Sequence, residues 1–132
     1  MTDIENAILT AVKTALVADF PAIVVDSVTS FSPSKFPCVY IEESDNYSYT
    51  FARDTASNDK YSVVVYEVNA YSNKTSGKKA ECKAIMAIID DVLNGLGFTR
   101  QAKTPINADP ARYRLFARYR AVVSQDKTIF KI

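Results

Sequence analysis

Residues 111–123 read Ala111-Arg112-Tyr113-Arg114-Leu115-Phe116-Ala117-Arg118-Tyr119-Arg120-Ala121-Val122-Val123. On a strand, successive side chains face opposite sides. One side of this segment then carries Tyr113, Leu115, Ala117, Tyr119, Ala121 and Val123, an apolar face suited to covering helices. The other side carries Arg112, Arg114, Arg118 and Arg120 with Phe116 and Val122. Four guanidiniums on one strand face repel each other unless something compensates. Carboxylates on neighbouring strands, such as Glu42 and Glu67, answer that need within the chain. Acidic groups on another subunit answer it equally well, because the planar arginine fork binds carboxylate bidentately. Direct binding of nucleic acid is a third use, and the weakest. The chain's formal net charge is only +1, without the basic excess such proteins carry.

Upstream, residues 77–94 read as a helix with Ser76 at its N-cap. Cys82, Ile85, Ile88, Ile89, Val92 and Leu93 mark its buried face, and Gly95 or Gly97 supplies the left-handed residue that ends it. Residues 98–103 and a turn region at 105–110 separate this helix from the arginine strand. Residues 2–19 form a second amphipathic helix, with Ile4, Ala7, Ile8, Ala11, Val12, Ala15 and Leu16 on one stripe. Thr2 and Glu5 fit a capping box at its start, and Phe20-Pro21 ends it.

Strands are expected at 22–28 and 38–43, with a loop over 30–37 between them. Asp45-Asn46 marks a break, after which Tyr47, Tyr49 and Phe51 alternate with polar residues. With the long strand at 61–71, residues 46–71 suggest an extended β-hairpin whose stretch 46–61 projects as an arm. Its tip is too polar to bury, and its aromatic strip needs a partner to cover it. The polar other face of that arm suits strand addition between subunits. The tail at 128–132 suits a short edge strand. The expectation is one domain over 1–132: an α+β fold with a mostly antiparallel or mixed sheet of about five strands and two helices on one face.

Composition excludes much chemistry. There is no histidine, which removes Ser-His and Cys-His nucleophilic pairs, histidine bases and histidine-containing zinc sites. Cys38 and Cys82 are too few for a disulfide framework and read as reduced, buried apolar residues. No apolar run approaches the ~20 residues of a membrane span, and the acidic N-terminus lacks the basic region of a secretory signal. The adjacent pairs Glu42-Glu43 and Asp90-Asp91 point to different sides of their elements, so they read as solvated surface charge and form no acid/base dyad. The segment Tyr71-Ser72-Asn73-Lys74-Thr75-Ser76-Gly77-Lys78-Lys79 looks at first like a phosphate-binding loop. That motif needs glycine where Ser72 stands and a hydroxyl residue where Lys79 stands, so it fails twice. Lys74, Lys78, Lys79 and Lys83 surround a helix start, where positive charge opposes the dipole. An acidic partner and a solvated loop both account for them. No cofactor or metal site is expected.

Three segments carry a resemblance. The first is Phe31-Ser32-Pro33-Ser34-Lys35-Phe36-Pro37-Cys38-Val39 with Glu42, Asp45 and Asn46. The second is Val68-Asn69-Ala70-Tyr71-Ser72-Asn73-Lys74 with Gly77-Lys78-Lys79, Glu81 and Ile85. The third is Gly97-Phe98-Thr99-Arg100 with Pro105, Asn107, Tyr113-Arg114 and Arg118-Tyr119. In this order, over most of residues 4–123, the chain resembles the tail terminator, or tail-completion, proteins of long-tailed, siphovirus-type bacteriophages and prophages. The resemblance implies an α+β subunit in a hexameric ring on top of the tail tube, in the virion neck, assembled in the host bacterial cytoplasm. Such a ring stops tube polymerisation and offers a surface to the head-closure or connector protein. Its partners are other copies of itself, the major tail tube protein and the connector, and DNA passes through without specific binding. It implies no enzymatic activity, cofactor or small-molecule substrate. Another head-tail connector component, such as a head-closure or adaptor protein, is the alternative, followed by a small nucleic-acid-binding protein using the arginine strand. In a ring the contacts are heterologous. The arginine face and the acidic or aromatic hairpin are then complementary patches, with Arg112, Arg114, Arg118, Arg120, Glu42, Glu67, Tyr47, Tyr49, Phe51, Lys74, Lys78 and Lys79 as the candidate interface residues.

Overall fold

A computed structural model of the chain describes residues 4–27, 36–48, 61–106, 112–124 and 127–130. Its elements are α1 (Glu5–Asp19), β1 (Val24–Asp26), β2 (Cys38–Ser48), β3 (Tyr61–Ser72), α2 (Lys78–Leu96), β4 (Thr99–Pro105), β5 (Tyr113–Ser124) and β6 (Ile129–Phe130). The sheet runs β1-β2-β3-β5-β4, with β6 paired to β5 beyond the end of β4. Only β1 and β2 are parallel; β2, β3, β5 and β4 are antiparallel neighbours. The fold is α+β, with a mixed sheet and two helices.

Strand parity decides which side the helices take. On β3, Val64, Tyr66, Val68 and Ala70 face the main core. On β5 the residues that alternate with the arginines do the same: Tyr113, Leu115, Ala117, Tyr119, Ala121 and Val123. Against them α1 lays Ile4, Ile8, Val12 and Leu16, and α2 lays Cys82, Ile85, Met86, Ile89 and Leu93. Spacings of three and four keep these residues on one helical stripe, so each helix buries a ridge while its other side stays in water. Each fully buried Leu or Ile contributes roughly 1.5–3 kcal/mol, and truncating Ile89 to alanine would cost about 2–5 kcal/mol. Tyr66 and Phe98 close one end of the core edge to face, with centroids 5.6 Å apart.

Four local expectations need correction. The break at Asp45-Asn46 is a β-bulge inside a continuous β2: pairing passes from Glu43↔Tyr66 to Asp45↔Val65, leaving Ser44 as the extra residue. Its hydroxyl donates to the Val65 carbonyl at 3.2 Å, which satisfies the disrupted ladder. The N-cap of α2 is Gly77, at φ 87°, where glycine avoids a Cβ penalty; Ser76 does not cap it. Helix α1 starts at Glu5 with Ile4 as N-cap and no side-chain cap, and Glu5 Oε2 instead accepts the Glu43 backbone N–H at 3.0 Å. Thr2 lies outside the described residues. Finally, Pro105, expected to open a turn, is the last residue of β4, an edge strand that leaves most of its side chains exposed.

The end of α2 matches its sequence. Gly97 is left-handed at φ 111°, its N–H donates to Asn94 O, and the Phe98 N–H donates to Leu93 O. Two orphan carbonyls are thereby satisfied, and Phe98 drops beside Leu93 in the core. The expected hairpin is present where it is described, from Ser48↔Ser62 inward. The part expected to project, with Tyr49 and Phe51, lies outside the described residues.

Candidate interaction face of the sheet

The helices cover one side of the sheet, so the side chains of opposite parity form a second face. Register places Cys38, Tyr71 and Arg114 in one row across β2, β3 and β5. The next rows are Tyr40, Asn69 and Phe116; then Glu42, Glu67 and Arg118; then, past the bulge, Asp45, Val65 and Arg120; then Tyr47, Val63 and Val122. Asp26 on β1 sits beside Tyr40 on the same face.

This face has two halves of opposite charge. Carboxylates lie on β1 and β2, at Asp26, Glu42 and Asp45, and guanidiniums lie on β5, at Arg114, Arg118 and Arg120. Glu67 stands between them on β3. Arg118 Nη2 donates to Glu67 Oε1 at 3.0 Å, with the two side chains 45% and 34% exposed. A pair that open contributes no more than ~1 kcal/mol. Arg114 Nε donates to Asn69 Oδ1 at 2.9 Å, and its guanidinium lies 5.5 Å from the centre of the Tyr71 ring. Arg118 packs over Phe116 at 5.8 Å. Arg120 Nε is buried without a hydrogen-bond partner among the described residues. Between Asp45 and Tyr47 on one side and Gln101, Arg118 and Arg120 on the other, with Val65 as floor, lies a depression of about 320 Å³. Tyr47 at its rim is 45% exposed.

At the other end of this face, Cys38, Tyr40 and Tyr71 form a small separate core with Val24 and Phe36. Tyr40 and Tyr71 meet edge to face at 5.8 Å. Burial pushes the Cys38 thiol up to about 11 and the Tyr40 hydroxyl up to about 12, so both are neutral at ordinary pH. Cys82, on the side of α2 that faces the sheet, is likewise pushed up to about 12 by burial. Both cysteines are free and buried, as their small apolar character suggests.

The arginine strand and its carboxylates therefore come together, with Glu67 paired inside the chain and Glu42 exposed beside it. Arg112 precedes β5, half-buried and near enough to Cys38 to oppose the rise of its thiol. The lysines do not join this face. Lys78 and Lys79 belong to α2, in the helix layer, and Lys74 Nζ lies 3.5 Å from Glu81. Ser72, which occupies the glycine position of a phosphate loop, is buried and donates to Glu81 Oε1 at 2.7 Å. That bond ties the end of β3 to the first turn of α2, so the segment works as a strand-to-helix connector.

The paired carboxylates also need correction. Asp91 and Glu42 are exposed, but Asp90 and Glu43 are not simply solvated. Asp90 Oδ1 accepts from the buried Tyr119 hydroxyl at 3.0 Å and from Arg100 at 3.1 Å. Burial, reinforced by Asp90, raises the ionisation of Tyr119 well above its usual range. Glu43 Oε1 accepts from Asn46 at 3.1 Å and from the Tyr66 hydroxyl at 3.4 Å. Asn69, Asp26 and Asp45 are the face residues that strand parity missed in the sequence, because only the pairing register, and for Asp45 the bulge, reveals which residues share a face across the strands. Among the described residues no three His, Cys, Asp or Glu side chains gather as a metal site, and no helix is long and apolar enough to cross a membrane. Compared with models of protein families and with curated proteins, the chain matches none.

Proposed function

We propose that this chain is a structural protein of the phage neck, a tail terminator whose copies form a hexameric ring on the tail tube. The ring ends tube polymerisation and presents a joining surface to the head-closure or connector protein, while DNA passes through its centre. It works by protein contact in the virion, with no catalytic step and no cofactor. The observation that carries the reading is the second face of the sheet: carboxylates, arginines and an exposed tyrosine displayed on a rigid scaffold, a surface suited to polar protein contacts. The ordered resemblance over residues 4–123 supplies the identity of those contacts. Nucleic-acid binding fits less well, because Arg118 meets Glu67, Arg114 meets Asn69, and Glu42 and Asp45 would repel phosphate beside them.

The test is growth of tail tubes. Tube protein polymerising with this chain present should give capped tubes of bounded length, with the chain at one end. Unchanged tube lengths, with the chain absent from tube ends, would refute the terminator. A head-closure protein would instead leave tubes unaffected and bind filled heads.

A further inference from the structure

We propose that the second sheet face is a self-complementary docking surface whose occupant is a second copy of this chain, related by a two-fold axis running along β3. Strand order and register support this pairing independently of the neck-protein reading. In the order β1-β2-β3-β5-β4, β3 is the central strand, the acidic column stands on β2 and the arginine column on β5. Both columns point the same way. A copy turned over about an axis parallel to the strands lays its β2 over the first copy's β5 and keeps every row level.

Glu42 of one copy then faces Arg118 of the other, and Asp45 faces Arg120, in both directions at once. In the flanking rows only Phe116 and Tyr47 reach the surface; Tyr40 and Val122 are buried within the chain and take no part in the contact. A turn about an axis across the strands would instead set acid on acid and arginine on arginine, so charge selects one symmetry. Glu67, like the other β3 residues of this face, meets its own counterpart on the axis, and its charge is already offset by Arg118 in the same chain. Sheets packed face to face stand about 10 Å apart, and their twist sets the strands at about 30°. Contact therefore concentrates on the central rows, where Glu42, Asp45 and Arg118 are exposed. Edge-to-edge joining is the poorer option, because β4 carries Arg100, Lys103, Pro105 and a bulge near Gln101, and β1 is three residues long. Should the ring also form, the pair is the free subunit's state and must open first, since it occupies the same face.

The test is a charge swap read by sedimentation equilibrium and native mass spectrometry. Wild type should pair at tens of micromolar. Glu42→Lys with Asp45→Lys makes both columns basic, and Arg118→Glu with Arg120→Glu makes both acidic. Each double variant alone should pair roughly a hundredfold more weakly, because like charges then face each other. Mixed one to one, the two should form a heterodimer close to wild-type affinity. Glu67→Cys, on the axis, should link copy to copy through a bis-maleimide of about 10 Å, whereas Asp91→Cys in the helix layer should not. This second measurement serves if a double variant fails to fold. Wild type that stays monomeric at ~100 µM, reversal variants that pair as wild type does, or linking at Asp91→Cys alone would overturn the pair. A wild-type hexamer unaffected by either reversal would also overturn it while leaving the neck-protein reading intact.

Discussion

Removing Asp90 should cost far more stability than its place on a helix surface suggests. Its carboxylate accepts the hydroxyl of Tyr119, whose side chain is fully buried under α2, and also pairs with Arg100 on β4. In Asp90→Ala the Tyr119 hydroxyl keeps only Met86 Sδ at 3.9 Å, a weak acceptor. A buried donor left without a good partner costs about 1–3 kcal/mol. The Arg100–Asp90 pair, 3.1 Å apart and 45% and 32% exposed, contributes at most ~1 kcal/mol because water screens it. The expected loss is therefore about 2–3 kcal/mol, or a fall in Tm of roughly 8–12 °C for a domain of this size. In a Tyr119→Phe background nothing is left to strand, and the same substitution should cost less than about 1 kcal/mol. Urea unfolding of the four proteins, with unchanged m-values, gives the coupling as the difference, about 1.5 kcal/mol. Costs that add to within ~0.5 kcal/mol would show that the two groups do not depend on each other, and would refute the reasoning.

The glycines of α2 give a paired prediction. Gly95 has helical geometry and open space where a Cβ would stand, so Gly95→Ala should raise stability by about 0.5–1 kcal/mol. Gly97→Ala should lower it by more than ~1 kcal/mol, because φ is 111° and the new Cβ would lie 3.0 Å from Ile129 Cγ2; thermal melts of both variants check this. Alkaline pH should also destabilise the fold. The thiols of Cys38 and Cys82 rise from 9.0 to about 11 and about 12, so above pH 9 the unfolded chain gives up protons that the folded chain keeps. The contribution of these thiols is then constant below pH 9 and is lost as pH climbs toward 11. A urea midpoint unchanged between pH 8 and 10.5 would contradict that, as would fast alkylation of either thiol in the native protein at neutral pH.

Much of this architecture is legible along the chain, and the reason is local. A helix repeats every 3.6 residues and a strand every two, so Ile8, Val12 and Leu16, or Leu115, Ala117 and Tyr119, reveal their buried sides without reference to anything distant. The stop at Gly97 is legible for the same reason: only glycine takes φ 111° without strain. The interaction face is only half legible. Alternation separates the arginines from the apolar residues of β5, but it cannot say which strand lies beside them.

Strand neighbours are chosen by long-range packing. Glu67 and Arg118 stand 51 residues apart and meet because β3 sits centrally between β2 and β5. The bulge at Ser44, which returns Asp45 and Tyr47 to the arginine-bearing face, is likewise a property of pairing with β3. Asp90 shows the same limit: as a residue on a helix it reads as surface charge, and only its distance from Tyr119 makes it structural. The apolar side of each element is written in residue spacing, which needs no partner to be read. That the acidic and arginine columns share one face in level rows is a matter of register, and register follows from how whole strands pack together.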